Sequence, residues 1–184
     1  IGVEIANAAS TLGMDVIGYD PSISKKHAWK ISSDVEEALS LEELFSKSDF
    51  VSFHVPLVDA TKNLLNAKRI ALLPKGCVVI NMSRDGIVDE DELLKALDRG
   101  SVKYYVTDFP IDEKKNHDRV IALPHLGAST SEAEENCAMM IAKQIKDYLE
   151  NGNIVNSVNF PDAKMPRAGM ELSLIHISEP TRRS

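Results

Sequence analysis

The chain has 184 residues, 43% of them hydrophobic and 27% charged, which predicts a folded domain with a core of its own. A formal net charge of −7 without a run of Lys and Arg argues against a nucleic-acid-binding surface, because phosphate contacts need clustered basic side chains. Cys77 and Cys137 lie far apart without a CxxC pair, so we expect no metal site and a reducing, cytoplasmic location. We find no apolar run of membrane-spanning length and no signal peptide, and we expect no membrane partner.

The first half of the chain alternates between helical and strand patterns. Ile1, Ile5 and Leu12 share one helical face, and Gly13 supplies a stop signal. Because Ile1 is not a methionine and already lies in this helical pattern, we expect the first strand of the fold upstream of it. Further along we predict a strand over residues 15–20, a helix or two short turns over 33–48 and a strand over 49–55.

Two capping-box spacings support the helical interpretation of residues 33–48. Ser33 stands three positions before Glu36, and Ser40 stands three positions before Glu43. In such a box the serine hydroxyl accepts a hydrogen bond from a backbone N–H of the first helical turn. Both serines are therefore predicted to begin helical turns.

The second half of the chain continues the alternation. Residues 77–82 (CVVINM) form an unbroken apolar run, which is typical of a strand covered on both faces. Around it we predict helices over 66–73, 90–99 and 131–150 and strands over 102–108 and 119–123. Strands that alternate with helices predict an α/β fold with a doubly wound, Rossmann-type parallel sheet, here truncated before its first strand.

The end of the chain differs in character from the rest. ELSLIHISEPTRRS (171–184) has no periodicity continuous with what precedes it and resembles translated sequencing-adapter read-through; the alternative is a native flexible terminus. We predict one Rossmann-type domain over residues 1–152, a return segment toward a further domain over 153–167, and a non-native or disordered tail over 168–184.

An acid and a histidine follow two predicted strands near the end of the sheet. Asp108 ends one strand, Glu113 lies in the acidic loop after it, and His125 follows the next strand. Because the carboxyl ends of parallel strands border the ligand crevice, a carboxylate there can orient an imidazole that serves as a base. This edge of the sheet is therefore the predicted catalytic region.

Two residues near the start of the chain match part of a dinucleotide-binding pattern. Gly2 fits the last glycine of G-x-G-x-x-G, and Asp20 ends the next strand, where an acid bonds the ribose hydroxyls and favours NAD over NADP. For Gly2 the alternative is simple helix–strand packing. For Asp20 it is a turn or N-cap role before Pro21.

Arg84 stands at the carboxyl end of the apolar strand that begins at Cys77. Its planar guanidinium suits a substrate carboxylate, which it can bind through two hydrogen bonds. A surface ion pair with Asp85, Asp89 or Glu90 explains it equally well. His54 also ends a strand, but Pro56 follows closely, so we assign His54 to the loop or to the lining of a cofactor site.

The order of these motifs resembles the NAD-binding domain of the D-2-hydroxyacid dehydrogenases. The resemblance rests on Gly2 and Asp20 and on four runs of sequence: HVPL (54–57), INMSRDGIVDEDEL (80–93), DFPIDE (108–113) and PHLGAST (124–130). It extends over about residues 1–165 and is far more specific than any single motif.

The resemblance implies NAD-dependent hydride transfer on a small 2-hydroxy or 2-oxo acid. Arg84, Glu113 and His125 match the catalytic residues: the arginine anchors the carboxylate, the histidine takes the hydroxyl proton and the glutamate steadies the imidazole. Asp108 is implied to accept a hydrogen bond from the nicotinamide carboxamide. The implied cofactor contacts are Ile1, Gly2, Asp20, Val55, Pro56, Met82, Ser83, Arg84, Asp108, His125, Leu126, Gly127 and Ala128.

The resemblance leaves several questions open. Asp85 stands where many family members have glycine, and the loop between Glu113 and Val120 is shorter than in many of them. A negative charge beside Arg84 is expected to weaken carboxylate binding. The family implies a homodimer or higher homo-oligomer. Glyoxylate, hydroxypyruvate and lactate are alternative substrates, and a non-catalytic NAD-sensing or dimerising module is an alternative function.

Overall fold

The computed structural model describes residues 1–109 and 117–164. The chain divides into two compact units, Ile1–Leu126 and a second that begins at Gly127. The helices are α1 (Gly2–Thr11), α2 (Lys25–Ala28), α3 (Leu41–Lys47), α4 (Ala67–Ile70), α5 (Glu90–Asp98) and α6 (Ser131–Asn151). The strands are β1 (Val16–Gly18), β2 (Val35–Glu37), β3 (Phe50–Phe53), β4 (Cys77–Asn81), β5 (Val102–Thr107) and β6 (Val120–Ala122).

The strands form two sheets, and every strand pair in them is parallel. One sheet pairs β1 with β2, and the other has the order β3-β4-β5-β6. Parallel neighbours that follow each other in sequence require crossover connections. Helices α2, α4 and α5 lie in the crossovers from β1 to β2, from β3 to β4 and from β4 to β5. The parallel order confirms the predicted Rossmann-type α/β fold.

The hydrophobic core lies against one face of the four-stranded sheet. In β4 the side chains of Cys77, Val79 and Asn81 are buried, whereas the alternate residues Val78 and Ile80 are only half-buried. The expectation that this run is covered on both faces is therefore corrected, because only one face is fully removed from water. The core residues are Phe45, Val51, Phe53, Leu65, Ile70, Cys77, Val79, Ile87, Val88, Leu93, Ala96, Leu97, Val102 and Tyr105.

The two predicted capping boxes have different outcomes. Ser40 caps α3: its hydroxyl accepts a hydrogen bond from the Glu43 N–H at 3.1 Å. The Glu43 carboxylate in turn accepts from the Leu39 N–H at 2.8 Å. The prediction at Ser33 is wrong, because the residues after it form β2, which pairs with β1. Tertiary pairing overrides the local signal there.

Two short helices, α4 between β3 and β4 and α2 between β1 and β2, have side-chain caps. Asn66 begins α4, and its side-chain oxygen accepts hydrogen bonds from the N–H groups of Lys68 and Arg69 at 3.1 and 3.2 Å. Ser24 caps α2, a helix that the sequence analysis did not predict. A four-residue helix is too short to show a hydrophobic period, so only its cap identifies it.

The second unit contains α6, as the amphipathic pattern predicted. Thr130 caps its start by accepting a hydrogen bond from the Ala133 N–H at 3.1 Å. Gly152 ends it in the left-handed conformation, with φ of 70°. No helix in residues 1–109 or 117–164 is long and apolar enough to cross a membrane.

Candidate active site

Arg84, Asp108 and His125 each follow the carboxyl end of a neighbouring strand. Since β4, β5 and β6 run parallel in adjacent positions, the segments that leave them emerge at one edge of the sheet. With strands about 4.8 Å apart, β4 and β6 lie roughly 10 Å from each other across β5. The structure thus places the predicted arginine and histidine at the same edge, on the two sides of Asp108.

Asp108 and His125 form a carboxylate–imidazole contact at this edge. The Oδ2 atom of Asp108 lies 3.6 Å from Nδ1 of His125. The aspartate side chain is 14% exposed and the histidine side chain 51%. The ring of Phe109 meets the imidazole edge-on, with centroids 5.0 Å apart. A carboxylate and an aromatic ring therefore fix the imidazole on two sides while leaving half of it open to solvent.

Glu113, the acid predicted to steady His125, lies outside the described residues. In the part of the chain that the structure describes, the carboxylate beside the imidazole belongs to Asp108. The predicted meeting of an acid and an imidazole at this edge is thus observed with Asp108, the residue to which the family resemblance gave the nicotinamide contact.

One oxygen of Asp108 is a buried acceptor. Its Oδ1 atom is inaccessible to water and has no hydrogen-bond partner among the described residues. Buried polar atoms are nearly always paired, so an exception needs a physical explanation. An N–H donor of a bound molecule would satisfy this oxygen, and the amide of a nicotinamide ring carries such a donor.

The turn that carries Arg84 begins directly after β4. Met82 and Arg84 are exposed and Ser83 is half-buried. One guanidinium nitrogen of Arg84, Nη1, donates to the Ser83 carbonyl at 2.6 Å. Asn81, which is 1% exposed, holds this turn through its side chain. The sequence analysis did not single out Asn81, although an amide that ends an apolar strand is a recognisable signal for such a role.

The loops that follow β3 and β4 are joined by backbone hydrogen bonds. The N–H of Asn63 donates to the Gly86 carbonyl at 2.8 Å, and that of Leu65 donates to Ile87 at 3.2 Å. The N–H of Asp89 returns a bond to the Leu65 carbonyl at 3.0 Å. We call these three bonds the loop clamp. They hold residues 86–89, which follow Arg84 in the chain.

The start of α1 packs closely on the end of β3. A methyl group at Gly2 would lie 3.4 Å from Cβ of His54, which is ordinary van der Waals contact. His54 shares a hydrogen bond of 2.9 Å with the Ser52 hydroxyl. Burial lowers the pKa of His54. The imidazole therefore lies in a partly desolvated position beside the start of α1.

The remaining predicted cofactor residues lie in the segments that follow β1, β3 and β6 in the chain. Val55 is half-buried and Pro56 exposed, directly after His54. Asp20 is exposed after β1, and its Oδ1 atom accepts a hydrogen bond from the Ser22 N–H at 2.9 Å, which is the turn role noted as its alternative. Leu126 ends the first unit and is exposed. Gly127 and Ala128 belong to the second unit.

A cavity of about 360 Å³ lies away from these residues. Its lining consists of Leu97, Asp98, His117, Asp118 and Arg119. These residues precede β5 and β6, so they stand at the amino edge of the sheet, opposite Arg84 and His125. In open α/β sheets ligands bind at the carboxyl edge, and the position of this cavity therefore argues against a catalytic role.

Comparison with known proteins identifies the family. Residues 1–127 match the family model described as "D-isomer specific 2-hydroxyacid dehydrogenase, NAD binding domain". The chain belongs to this family, and the matched region is the part of it that binds NAD. The resemblance seen in the sequence motifs is confirmed.

Curated relatives and solved structures agree with this assignment. The D-3-phosphoglycerate dehydrogenase of Haemophilus influenzae is 38% identical over 190 residues, which cover 97% of this chain and 45% of that protein. The enzyme of the same name from Bacillus subtilis is 38% identical over 88% of this chain and 31% of its own length. The chain thus spans less than half the length of these relatives.

Two solved structures share the fold. A glyoxylate reductase from Paecilomyes thermophila superimposes with a TM-score of 0.72 at 26% identity, over 86% of this chain and 49% of that one. A D-lactate dehydrogenase from Aquifex aeolicus, complexed with NAD and lactic acid, has a TM-score of 0.66 at 27% identity, over 82% of this chain and 50% of that one.

Proposed function

We propose that the whole protein oxidises D-3-phosphoglycerate to 3-phosphohydroxypyruvate with NAD, a reaction of serine biosynthesis. The observation that carries the proposal is the pairing of Asp108 with His125 at the carboxyl edge of the sheet, the same edge at which Arg84 follows β4, in a domain whose family binds NAD. The names of the Haemophilus influenzae and Bacillus subtilis relatives support this choice of substrate.

The described residues fit the cofactor at both of its ends. At the nicotinamide end, the unpartnered Oδ1 of Asp108 can accept a hydrogen bond from the carboxamide. At the phosphate end, α1 begins at Gly2, and the first turn of a helix presents backbone N–H groups that can bind a phosphate. Asp20 stands where a carboxylate can bind ribose hydroxyls and disfavour the extra phosphate of NADP. Bound NAD supplies the hydride acceptor.

His125 is the proposed base of the reaction. The imidazole takes the proton of the C2 hydroxyl, and in the reductive direction it returns that proton to the carbonyl oxygen. The contact of its Nδ1 atom with Oδ2 of Asp108 at 3.6 Å orients the ring for this proton transfer. Glu113 is proposed as a second carboxylate for the same ring.

Arg84 is the proposed anchor for the substrate carboxylate. Its guanidinium is exposed at the same edge as His125 and can form two parallel hydrogen bonds to a carboxylate. Anchoring the acid there holds its C2 atom near the base, so that proton removal and hydride loss occur in one aligned geometry.

The central experiment substitutes the proposed base in the whole protein. We expect His125→Ala to lower kcat by at least about a hundredfold, the range typical of a general base, while NAD binding measured by fluorescence titration survives. His117→Ala is the matched control, because His117 pairs with Asp98 at the opposite edge of the sheet. Unchanged turnover of His125→Ala would refute the assignment.

Another 2-hydroxy acid is the second candidate substrate. The solved structures of a glyoxylate reductase and a D-lactate dehydrogenase share this fold, so the fold alone fits these acids equally well. Comparing kcat/KM for D-3-phosphoglycerate, glycerate and lactate decides between them. A higher value for a substrate without phosphate would favour the second candidate.

We further propose a cytoplasmic homodimer or higher homo-oligomer that uses a small-molecule substrate. The free thiols of Cys77 and Cys137 suit a reducing compartment. Helix α6 carries exposed apolar side chains, including Met139, Ile141 and Ile145, of the kind that subunit interfaces bury. Light scattering of the whole protein tests the assembly: a mass equal to one chain would contradict it.

A further inference from the structure

The side chain of Asn81 ties together the turn that carries Arg84. Its Oδ1 atom accepts hydrogen bonds from the Ser83 N–H at 3.2 Å and from the Ser83 hydroxyl at 3.0 Å. Its Nδ2 group donates to the Arg84 carbonyl at 2.9 Å. Asn81 is the last residue of β4 and is 1% exposed. One buried amide therefore fixes the two backbone units from which the Arg84 side chain departs.

The same amide is connected to the neighbouring strand. Tyr105 and Thr107 of β5 are buried beside it. Burial raises the pKa of Tyr105, and the polar side chains of Thr107 and Asn81 at its hydroxyl oxygen act in the opposite direction. Thr107 in turn accepts from the Phe109 N–H at 3.3 Å. The polar network thus runs from the Arg84 turn to the segment that holds Asp108.

The guanidinium of Arg84 depends on this network for its position. The arginine side chain is exposed, and the one hydrogen bond described for it, from Nη1 to the Ser83 carbonyl, stays within the same turn. An exposed arginine has many rotamers, so the position of its backbone determines which places the guanidinium can occupy. A bidentate contact to a carboxylate tolerates only small misplacement.

We propose that Asn81 is a positioning residue, which sets the Arg84 turn so that the guanidinium meets the substrate carboxylate opposite His125. This inference rests on the proposed function. Tyr105 assists by holding the Asn81 amide in place from β5. A purely structural role, in which Asn81 only satisfies buried backbone groups, makes a different prediction: lower stability with unchanged substrate affinity.

The test compares Asn81→Ala with Val79→Ala in the whole protein. Val79 is fully buried on the same face of β4 two residues earlier, so its truncation also destabilises the strand but leaves the Arg84 turn intact. We expect Asn81→Ala to raise the KM for the hydroxy acid about tenfold, the loss of roughly one oriented charge-assisted contact. Val79→Ala should lower Tm at least as much and change KM by less than about twofold.

A double-mutant cycle with Arg84→Lys tests whether Asn81 changes the KM through the position of Arg84. Lysine keeps the charge but cannot form the planar two-bond contact. If Asn81 acts through Arg84, the KM increase caused by Asn81→Ala should largely disappear in the Arg84→Lys background. An undiminished increase there would overturn the proposal, as would a normal KM in the single variant.

Tyr105→Phe decides the matter if Asn81→Ala does not fold. It removes one hydroxyl and keeps the ring, and we expect KM to rise about twofold to threefold, because a loosened amide weakens the same contact. An unchanged KM would then overturn the proposal. Absence of any NAD-dependent oxidation by the unaltered protein would instead refute the proposed function and this inference with it.

Discussion

The two parallel sheets of the first unit differ in how much of each is removed from water. The four-stranded sheet has fully buried side chains on three of its strands, such as Val51, Val79 and Val102. No residue of β1 or β2 is fully buried. Near the two-stranded sheet, Trp29 and Leu39 are about as exposed as in an unfolded chain, at 90% and 88%.

This difference coincides with the two ends of the proposed cofactor site. Arg84, Asp108 and His125 stand on the well-packed sheet, whereas Asp20 stands on the sparsely packed one. Parts of a protein with few buried apolar contacts open more easily than its core. The nicotinamide end is therefore preorganised by its own packing, and the adenosine end depends more on what binds there.

The largest expected effect comes from truncating one leucine in each region. Leu93 of α5 is fully buried against the four-stranded sheet, and Leu39 after β2 is 88% exposed. We expect Leu93→Ala to lower the free energy of unfolding by about 2–5 kcal/mol, because it leaves a cavity. Leu39→Ala should change it by no more than about 0.5 kcal/mol. Urea unfolding measures both, and similar losses would erase the contrast.

A smaller effect is expected from the helix caps of the two regions. Ser40 caps α3, which buries Phe45 in the core, whereas Ser24 caps α2, which has no buried residue. Ser40→Ala should cost about 1 kcal/mol of global stability. Ser24→Ala should cost only a few tenths, roughly, since α2 can fray without unfolding the rest. If thermal melting shows a larger loss of stability for Ser24→Ala than for Ser40→Ala, the inferred difference in packing between the two regions would be contradicted.

The smallest effect concerns His54, which stands where the two regions meet. Burial lowers its pKa below the ordinary value of 6.5, so the unfolded chain takes up a proton more readily than the folded one. The contribution of His54 to the free energy of unfolding is therefore complete above pH 6.5, and it is lost as the pH falls toward the lowered pKa. His54→Gln should flatten the fall of Tm between about pH 7.5 and 5.5.

His27→Gln is the control for this pH effect. His27 lies in α2 and is exposed, so this variant also exchanges one histidine for glutamine but leaves the half-buried His54 in place. Equal slopes for His54→Gln and the unaltered protein would show that His54 titrates as it does in the unfolded chain.

Much of the well-packed region could be predicted from the sequence. The run CVVIN of β4 and the cap pair of Ser40 with Glu43 are strong local signals, and the structure contains both. The strand β2 could not be predicted, because its three residues VEE carry one apolar side chain and follow a false capping signal at Ser33. Its existence depends on pairing with β1, which local sequence does not encode.

The candidate site also has some features that could be predicted from the sequence and others that could not. The carboxyl ends of β4, β5 and β6 could be located from strand patterns, which is why Arg84, Asp108 and His125 were found. The contact of Asp108 with His125 and the bonds made by Asn81 could not be predicted, because both depend on how separate segments meet in three dimensions. Glu113 lies outside the described residues, and its role stays a prediction.

The loop clamp has a consequence for protein engineering. Gly86 has a φ of +80°, and Leu57 stands about 3.6 Å from where a side chain at Gly86 would begin. If a foreign segment replaced residues 56–65 alone, residues 86–89 would lose their backbone hydrogen-bond partners. A chimera or a library that alters one of these two loops must therefore alter the other together with it.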